Sequence, residues 1–78
     1  MSVSFDQEID CSGLACPMPI IRTKIATDGM QVGQVLKMTA TDPGSISDMK
    51  AWTARTGHEL LAQEQEDGKY VFFIKKSK

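Results

Sequence analysis

Two prolines set two residues apart, Pro17 and Pro19, fix where one helix of this chain can begin. Proline lacks the N–H that a helix interior needs. It is tolerated in the first turn, where that donor has no intrahelical partner and the ring-fixed φ already suits a helix. The spacing predicts that Pro17 is the first helical residue and that Cys16 stands at or beside the N-cap. Upstream, Val3, Phe5, Gln7 and Ile9 alternate with Ser4, Asp6, Glu8 and Asp10, the two-residue period of a strand whose apolar face is interrupted at Gln7. The strand is expected to end at Asp10, and Ser12-Gly13 turns the chain towards the helix. Leu14, Met18, Ile21 and Ile25 then recur at helical spacing, so an amphipathic helix is expected over 17–27, with Arg22 and Lys24 on its exposed side and Gly29 as its stop.

After Gly33, residues 35–41 are rich in β-branched side chains and read as a second strand, with Leu36, Met38 and Ala40 as the face beneath helices. The stretch Asp42-Pro43-Gly44-Ser45-Ile46-Ser47-Asp48 offers two helix starts. One is Asp42 as cap with Pro43 following; the other is Ser45 as cap with Asp48 in a weak capping-box position. Gly44 is a poor helix residue, so the later start is preferred. Ile46, Met49, Thr53 and Thr56 share one side of this helix, Trp52 lies beside them, and Gly57 closes it. Residues 58–65 form a less regular strand, because Leu60 and Leu61 point to opposite faces. Asp67-Gly68 is a hairpin signal leading into the final strand, Lys69 to Lys75. The order is βαβαββ. It implies an α+β fold, a two-layer α/β sandwich with two helices packed on one face of a four-stranded mixed sheet.

With 78 residues and 41% hydrophobic content, the chain is expected to form a single small domain over 1–78 with a thin core. A formal net charge of −1 and a pI near 5.7 give no global reason to expect nucleic-acid or membrane binding. No charged leader with an apolar run is read at the start, and no apolar stretch approaches a membrane span, so a cytoplasmic protein is expected. Two cysteines four residues apart are too few for a secreted disulfide framework.

Cys16 is the candidate nucleophile. A thiolate at a helix N-terminus is favoured by the dipole, and such cysteines ionise below the free-thiol pKa of about 8.5. Since Pro17 and Pro19 carry no N–H, Met18 and Ile20 are the amides that could point at its sulfur. Cys11 is either a second thiol that resolves or caps Cys16, or a small residue at a strand end. Asp10 reads as an Asx-turn residue that can orient the loop, and Gly13 as a backbone-geometry position. His58 is a general base by type, yet its place after Gly57 points to a structural role. Two cysteines and one distant histidine fall short of a structural zinc site, and no phosphate-loop or dinucleotide fingerprint occurs; no metal or cofactor is expected.

The pattern Asp10-x-x-Gly13-Leu14-x-Cys16-Pro17-x-Pro19, followed by Ala40-Thr41-Asp42-Pro43-Gly44-Ser45, Trp52 and Gly57-His58-Glu59-Leu60, resembles the small sulfur-carrier proteins of the TusA/SirA type. The resemblance spans essentially the whole chain. It implies a two-layer sandwich similar to the C-terminal domain of translation initiation factor three. It also implies that Cys16 carries a persulfide, received from a cysteine desulfurase or rhodanese-like donor protein and relayed to an acceptor protein, with little stand-alone turnover. Pathways served by such families include tRNA thiolation, molybdenum-cofactor supply and sulfur oxidation. Two alternatives stay open: a small RNA-binding or regulatory interaction module, for which Lys75, Lys76, Lys78 and Tyr70 make a poor basic-aromatic face, and a dithiol redox protein using Cys11 and Cys16. Neither a membrane nor a direct nucleic-acid partner is expected.

Overall fold

A computed structural model of the chain describes residues 4–15 and 17–78. Its elements are β1 (Gln7–Cys11), α1 (Met18–Asp28), β2 (Val35–Ala40), α2 (Ser45–Thr56), β3 (Glu59–Glu66) and β4 (Lys69–Lys75). The sheet runs in the order β1-β2-β4-β3, with β1 parallel to β2 and both β2 and β3 antiparallel to β4. α1 packs over β1 and β2, and α2 over β4 and β3. This is the expected βαβαββ sandwich with a mixed sheet.

The first strand is displaced towards the C-terminus relative to its sequence period: it begins at Gln7 and includes Cys11 rather than ending at Asp10. Val3 lies outside the described residues. Gln7 and Ile9 nevertheless share one side, and the core continues it with Cys11, which is 1% exposed. Around it pack Met38, Ala40, Met49, Trp52, Phe72 and Ile74, with Leu14, Ile20, Ile46 and Leu60 at the margin. Leu36, Met38 and Ala40 are completely buried, so the β2 face lies beneath the helices as its alternation requires.

Helix α1 turns the opposite way from its hydrophobic periodicity. Its buried residues are Pro19, Thr23 and Thr27, whereas Met18, Ile21 and Ile25 are exposed, Ile25 at 65%. The physical reason is that each buried threonine satisfies its hydroxyl inside the helix. Thr23 Oγ1 donates to the Pro19 carbonyl at 2.7 Å, and Thr27 Oγ1 to the Thr23 carbonyl at 3.0 Å. A threonine bonded in this way can be buried without the desolvation penalty of an unpaired hydroxyl.

Helix α2 begins at Ser45, the later of the two starts, but its N-cap is Gly44 and no side chain caps it. Asp42 Oδ1 accepts the Gly44 N–H at 3.1 Å and the Asp42 carbonyl accepts the Ser45 N–H at 3.0 Å. This turn starts the helix one residue early: the Gly44 carbonyl accepts the Asp48 N–H at 3.1 Å, so Gly44 takes the cap position and Ser45 becomes a buried residue of the first turn. Gly57 closes the helix in the left-handed conformation, φ 84°. The conflict at Leu60 and Leu61 is resolved by a β-bulge: Leu60 pairs with Ile74 and Ala62 with Phe73, which leaves Leu61 as the extra residue. Asp67 and Gly68 both take positive φ, 50° and 78°, as the expected tight hairpin turn demands.

Candidate functional site

Because β1 and β2 are parallel and each is followed by a helix that runs back across the sheet, α1 and α2 start at the same end of the molecule. The loop between β1 and α1 lies at that end. Two partial positive charges, one per helix N-terminus, therefore bear on it. Cys16 falls outside the described residues; the chain on either side of it is exposed at Ala15 and Pro17.

The loop is tied down at three points. Asp10 Oδ1 accepts the Ser12 N–H at 2.9 Å, Thr41 Oγ1 at the end of β2 accepts the Gly13 N–H at 2.9 Å, and the Cys11 carbonyl accepts the Leu14 N–H at 3.1 Å. Gly13 holds φ 80°, in the left-handed region where a side chain is strained, although a Cβ there would meet open space. Ser12, which turns back over the carboxylate and donates its N–H to it, draws the Asp10 carboxyl below its ordinary value; Lys69 near the hairpin tip adds a small contribution of the same sign. Asp10, near the end of β1, and Gly13, in the loop, thus each hold the loop's backbone, one through the Ser12 N–H and the other through Thr41. Thr41 was visible only as part of a longer motif, since a strand-end threonine carries no signal of a contact 28 residues away.

The helix start differs by one residue from the proline rule. Pro17 is the N-cap, with φ −99° and ψ 14°, Met18 is the first helical residue, and Pro19 falls within the first turn. This shift corrects the expectation about the amides. The Met18 N–H donates to the Ala15 carbonyl at 2.9 Å and the Ile20 N–H to the Pro17 carbonyl at 3.1 Å, so both are engaged within the backbone. What the first turn offers an anion is its dipole rather than a pair of aimed N–H donors. Beside Pro17, the α1 and α2 surfaces enclose a shallow hollow of about 210 Å³ that includes Ile20, Asp48, Ala51 and Arg55.

Cys11 sits on β1 opposite Ala40, and burial pushes its thiol above the ordinary value. A protonated, enclosed thiol is the reverse of an activated one. His58 is at the far end of the sheet: it adjoins Glu59, which pairs with Lys75, whereas the β2 end that holds the loop pairs with Tyr70. Its ring packs against Trp52 at 5.4 Å, its Nδ1 accepts the Ser77 N–H at 3.2 Å, and burial lowers its pKa. This is a structural histidine, as its position after Gly57 implied.

A sulfurtransferase TusA family model matches residues 7–76. The chain belongs to the TusA sulfur-carrier family. It is 53% identical over 73 residues to the sulfur carrier protein TusA of Allochromatium vinosum, covering 94% of this chain and 96% of that one. It is 46% identical over 71 residues to the putative sulfur carrier protein YrkI of Bacillus subtilis, covering 91% and 95%. The crystal structure of a SirA-like protein from Desulfitobacterium hafniense superposes with a TM-score of 0.80 over 94% of this chain and 100% of that one; at 23% identity it attests the fold. Membership implies sulfur-donating and sulfur-accepting partners in general. Among the described residues, no helix is long and apolar enough to cross a membrane.

Proposed function

We propose that this chain, as one cytoplasmic sulfur-carrier domain over 1–78, holds sulfane sulfur as a persulfide on Cys16 and moves it between proteins. A donor persulfide, on a cysteine desulfurase or a rhodanese-like protein, is attacked at its outer sulfur by the Cys16 thiolate. The new S–S bond forms on Cys16 as the donor's inner S–S bond breaks, and the donor leaves as its own thiolate. Delivery repeats the step in the other direction, with an acceptor thiolate attacking and Cys16 leaving. No net oxidation occurs in either exchange.

What supports this reading is membership of the sulfur-carrier family together with the sequence Cys16-Pro17-Met18-Pro19, which follows Gly13, anchored to β2, and runs into the first turn of α1. Each residue takes a limited role. Asp10 and Gly13 shape the loop; Pro17 and Pro19 fix the helix start and remove two competing donors. The helix dipole favours Cys16–S–S⁻ by a few tenths to about 1 kcal/mol, enough to bias a thiol and too little to make it a strong catalyst on its own. Cys11 packs the core, and its raised pKa runs against the dithiol reading. Thiolated tRNA, molybdenum cofactor and sulfur oxidation are the pathways such a carrier fits.

The test is intact-protein mass spectrometry of the reduced chain after incubation with a cysteine desulfurase and cysteine. A gain of about 32 Da, one sulfur atom, is expected for the wild type and Cys11→Ser and is expected to be absent in Cys16→Ser. Loading that persists in Cys16→Ser overturns the assignment.

A further inference from the structure

The outer edge of β1 is unpaired among the described residues, since β1 meets β2 on one side alone. The Asp6 N–H donates to the Val35 carbonyl at 2.8 Å. By the two-residue alternation of a strand, Asp6, Glu8 and Asp10 therefore aim their backbone groups at β2, and Gln7, Ile9 and Cys11 aim theirs outwards. One of the outward groups, the Cys11 carbonyl, is used by the loop; the others form an open template. A hollow of about 450 Å³ lies between this edge and α1, with Ile9, Ile25 and Ala26 supplying its apolar lining, Gln7 and Asp10 its polar strand side and Arg22 its helix side. By alternation Glu8 and Asp10 project from the opposite face of the strand; both stay exposed, Glu8 beside Lys37 of β2 at 3.8 Å and Asp10 accepting the Ser12 N–H, so with Asp6 this stretch carries three carboxylates against the neighbouring Lys37.

We propose that the β1 edge receives an extended segment of the protein that exchanges sulfur with Cys16, added as a further strand in which apolar residues alternate with Lys or Arg. The identity of that partner rests on the carrier reading; the edge itself does not. Apolar side chains of the segment enter the hollow beside Ile9 and Ile25, and basic ones on the other face meet Glu8 and Asp10. Arg22 lies on the helix side, and Lys37 flanks Glu8 from β2, which leaves the outer side of that carboxylate to the added strand. Charge also decides against a second copy of this chain as the occupant. An antiparallel pairing of two β1 strands centred on Ile9 sets Glu8 against Asp10 twice, and like charges directly opposed are unfavourable. The other sheet edge, β3, is a poorer template because the bulge at Leu61 breaks its register. Pairing along β1 leads to Cys11, where the sulfur-bearing loop starts, so a partner seated there brings its adjoining residues to the reacting end.

The probe is a short, blocked peptide of alternating lysine and valine, compared with its glutamate–valine counterpart, on the full-length chain. Amide hydrogen exchange read by NMR is expected to slow at Gln7 and Ile9 with the lysine peptide, and the glutamate peptide is expected to bind about five- to tenfold more weakly. Gln7→Pro removes an outward donor from an exposed edge position and leaves the β1–β2 ladder intact, and is expected to weaken binding about fivefold. Glu8→Lys is expected to reverse the preference between the two peptides. Protection confined to β3, or equal binding of both peptides, overturns the proposal. Persulfide loading is read on the same sample. Its absence refutes the carrier reading, whereas absent protection at Gln7 and Ile9 refutes the docking edge.

Discussion

Replacing Ile25 by glutamine distinguishes the orientation of α1 found in the structure from the one its apolar stripe suggests. Ile25 is 65% exposed, so about a third of its side chain is sheltered. Full burial of an isoleucine is worth about 1.5–3 kcal/mol, which puts the sheltered part at about 0.5–1 kcal/mol. Glutamine, a slightly better helix former, returns a few tenths of that. The net loss is expected to be about 1 kcal/mol or less. Were Ile25 turned inward, placing an amide in the core would cost several kcal/mol from lost burial and an unpaired polar group. Urea unfolding followed by circular dichroism measures the difference, with Met49→Ala as the control. Met49 is fully buried, and its truncation is expected to cost about 2–5 kcal/mol. A loss above about 2 kcal/mol for Ile25→Gln contradicts the reasoning, because it requires shelter that the side chain lacks.

Thr23→Val keeps the shape and removes the bond to the Pro19 carbonyl, and is expected to cost about 1 kcal/mol in the same urea assay. Gly13→Ala meets no steric obstacle but must hold φ 80°, so it is expected to lose about 1–2 kcal/mol and to slow persulfide loading as the loop shifts. Mass mapping after brief iodoacetamide treatment at neutral pH is expected to find Cys16 alkylated well before Cys11, whose thiol burial holds protonated. His58 has a folded pKa below its ordinary 6.5, so near that pH the unfolded chain binds more protons than the folded one. Stability is therefore expected to rise with pH from the lowered folded value up to about 6.5 and then level off for this group, and His58→Gln is expected to flatten that slope in thermal melts.

The sheet and its element order were legible because local signals agreed with the tertiary result. Leu36, Met38 and Ala40 alternate cleanly, Asp67-Gly68 permits two positive φ angles in succession, and Gly57 ends a helix where no Cβ interferes. The errors arise where a side chain's polarity is cancelled by a bond that the sequence does not display. Thr23 and Thr27 count as polar in any periodicity, yet their hydroxyls are satisfied one turn back, so they went inside and Ile21 and Ile25 outside. Ser45 resembles a cap, but the turn at Asp42 starts the helical bonding one residue earlier, at the Gly44 carbonyl. The proposed site is a motif in the sequence: Asp10 near the end of β1, Gly13 in the loop, and Pro17 and Pro19 in the turn that opens α1. Its details were not legible there. The N-cap at Pro17, the closed amides of Met18 and Ile20, and the anchor from Thr41 depend on distances that only the folded chain defines.

The central claim is that sulfur enters and leaves through Cys16. Loading with cysteine labelled with heavy sulfur, in the presence of a cysteine desulfurase, followed by peptide mapping and a chase with an acceptor thiol, measures both steps in one experiment. The label is expected on the peptide that contains Cys16, at no more than one sulfur per chain, and is expected to pass to the acceptor while Cys16 returns to the thiolate. Label found on Cys11, or label on Cys16 that no thiol can remove, contradicts the account.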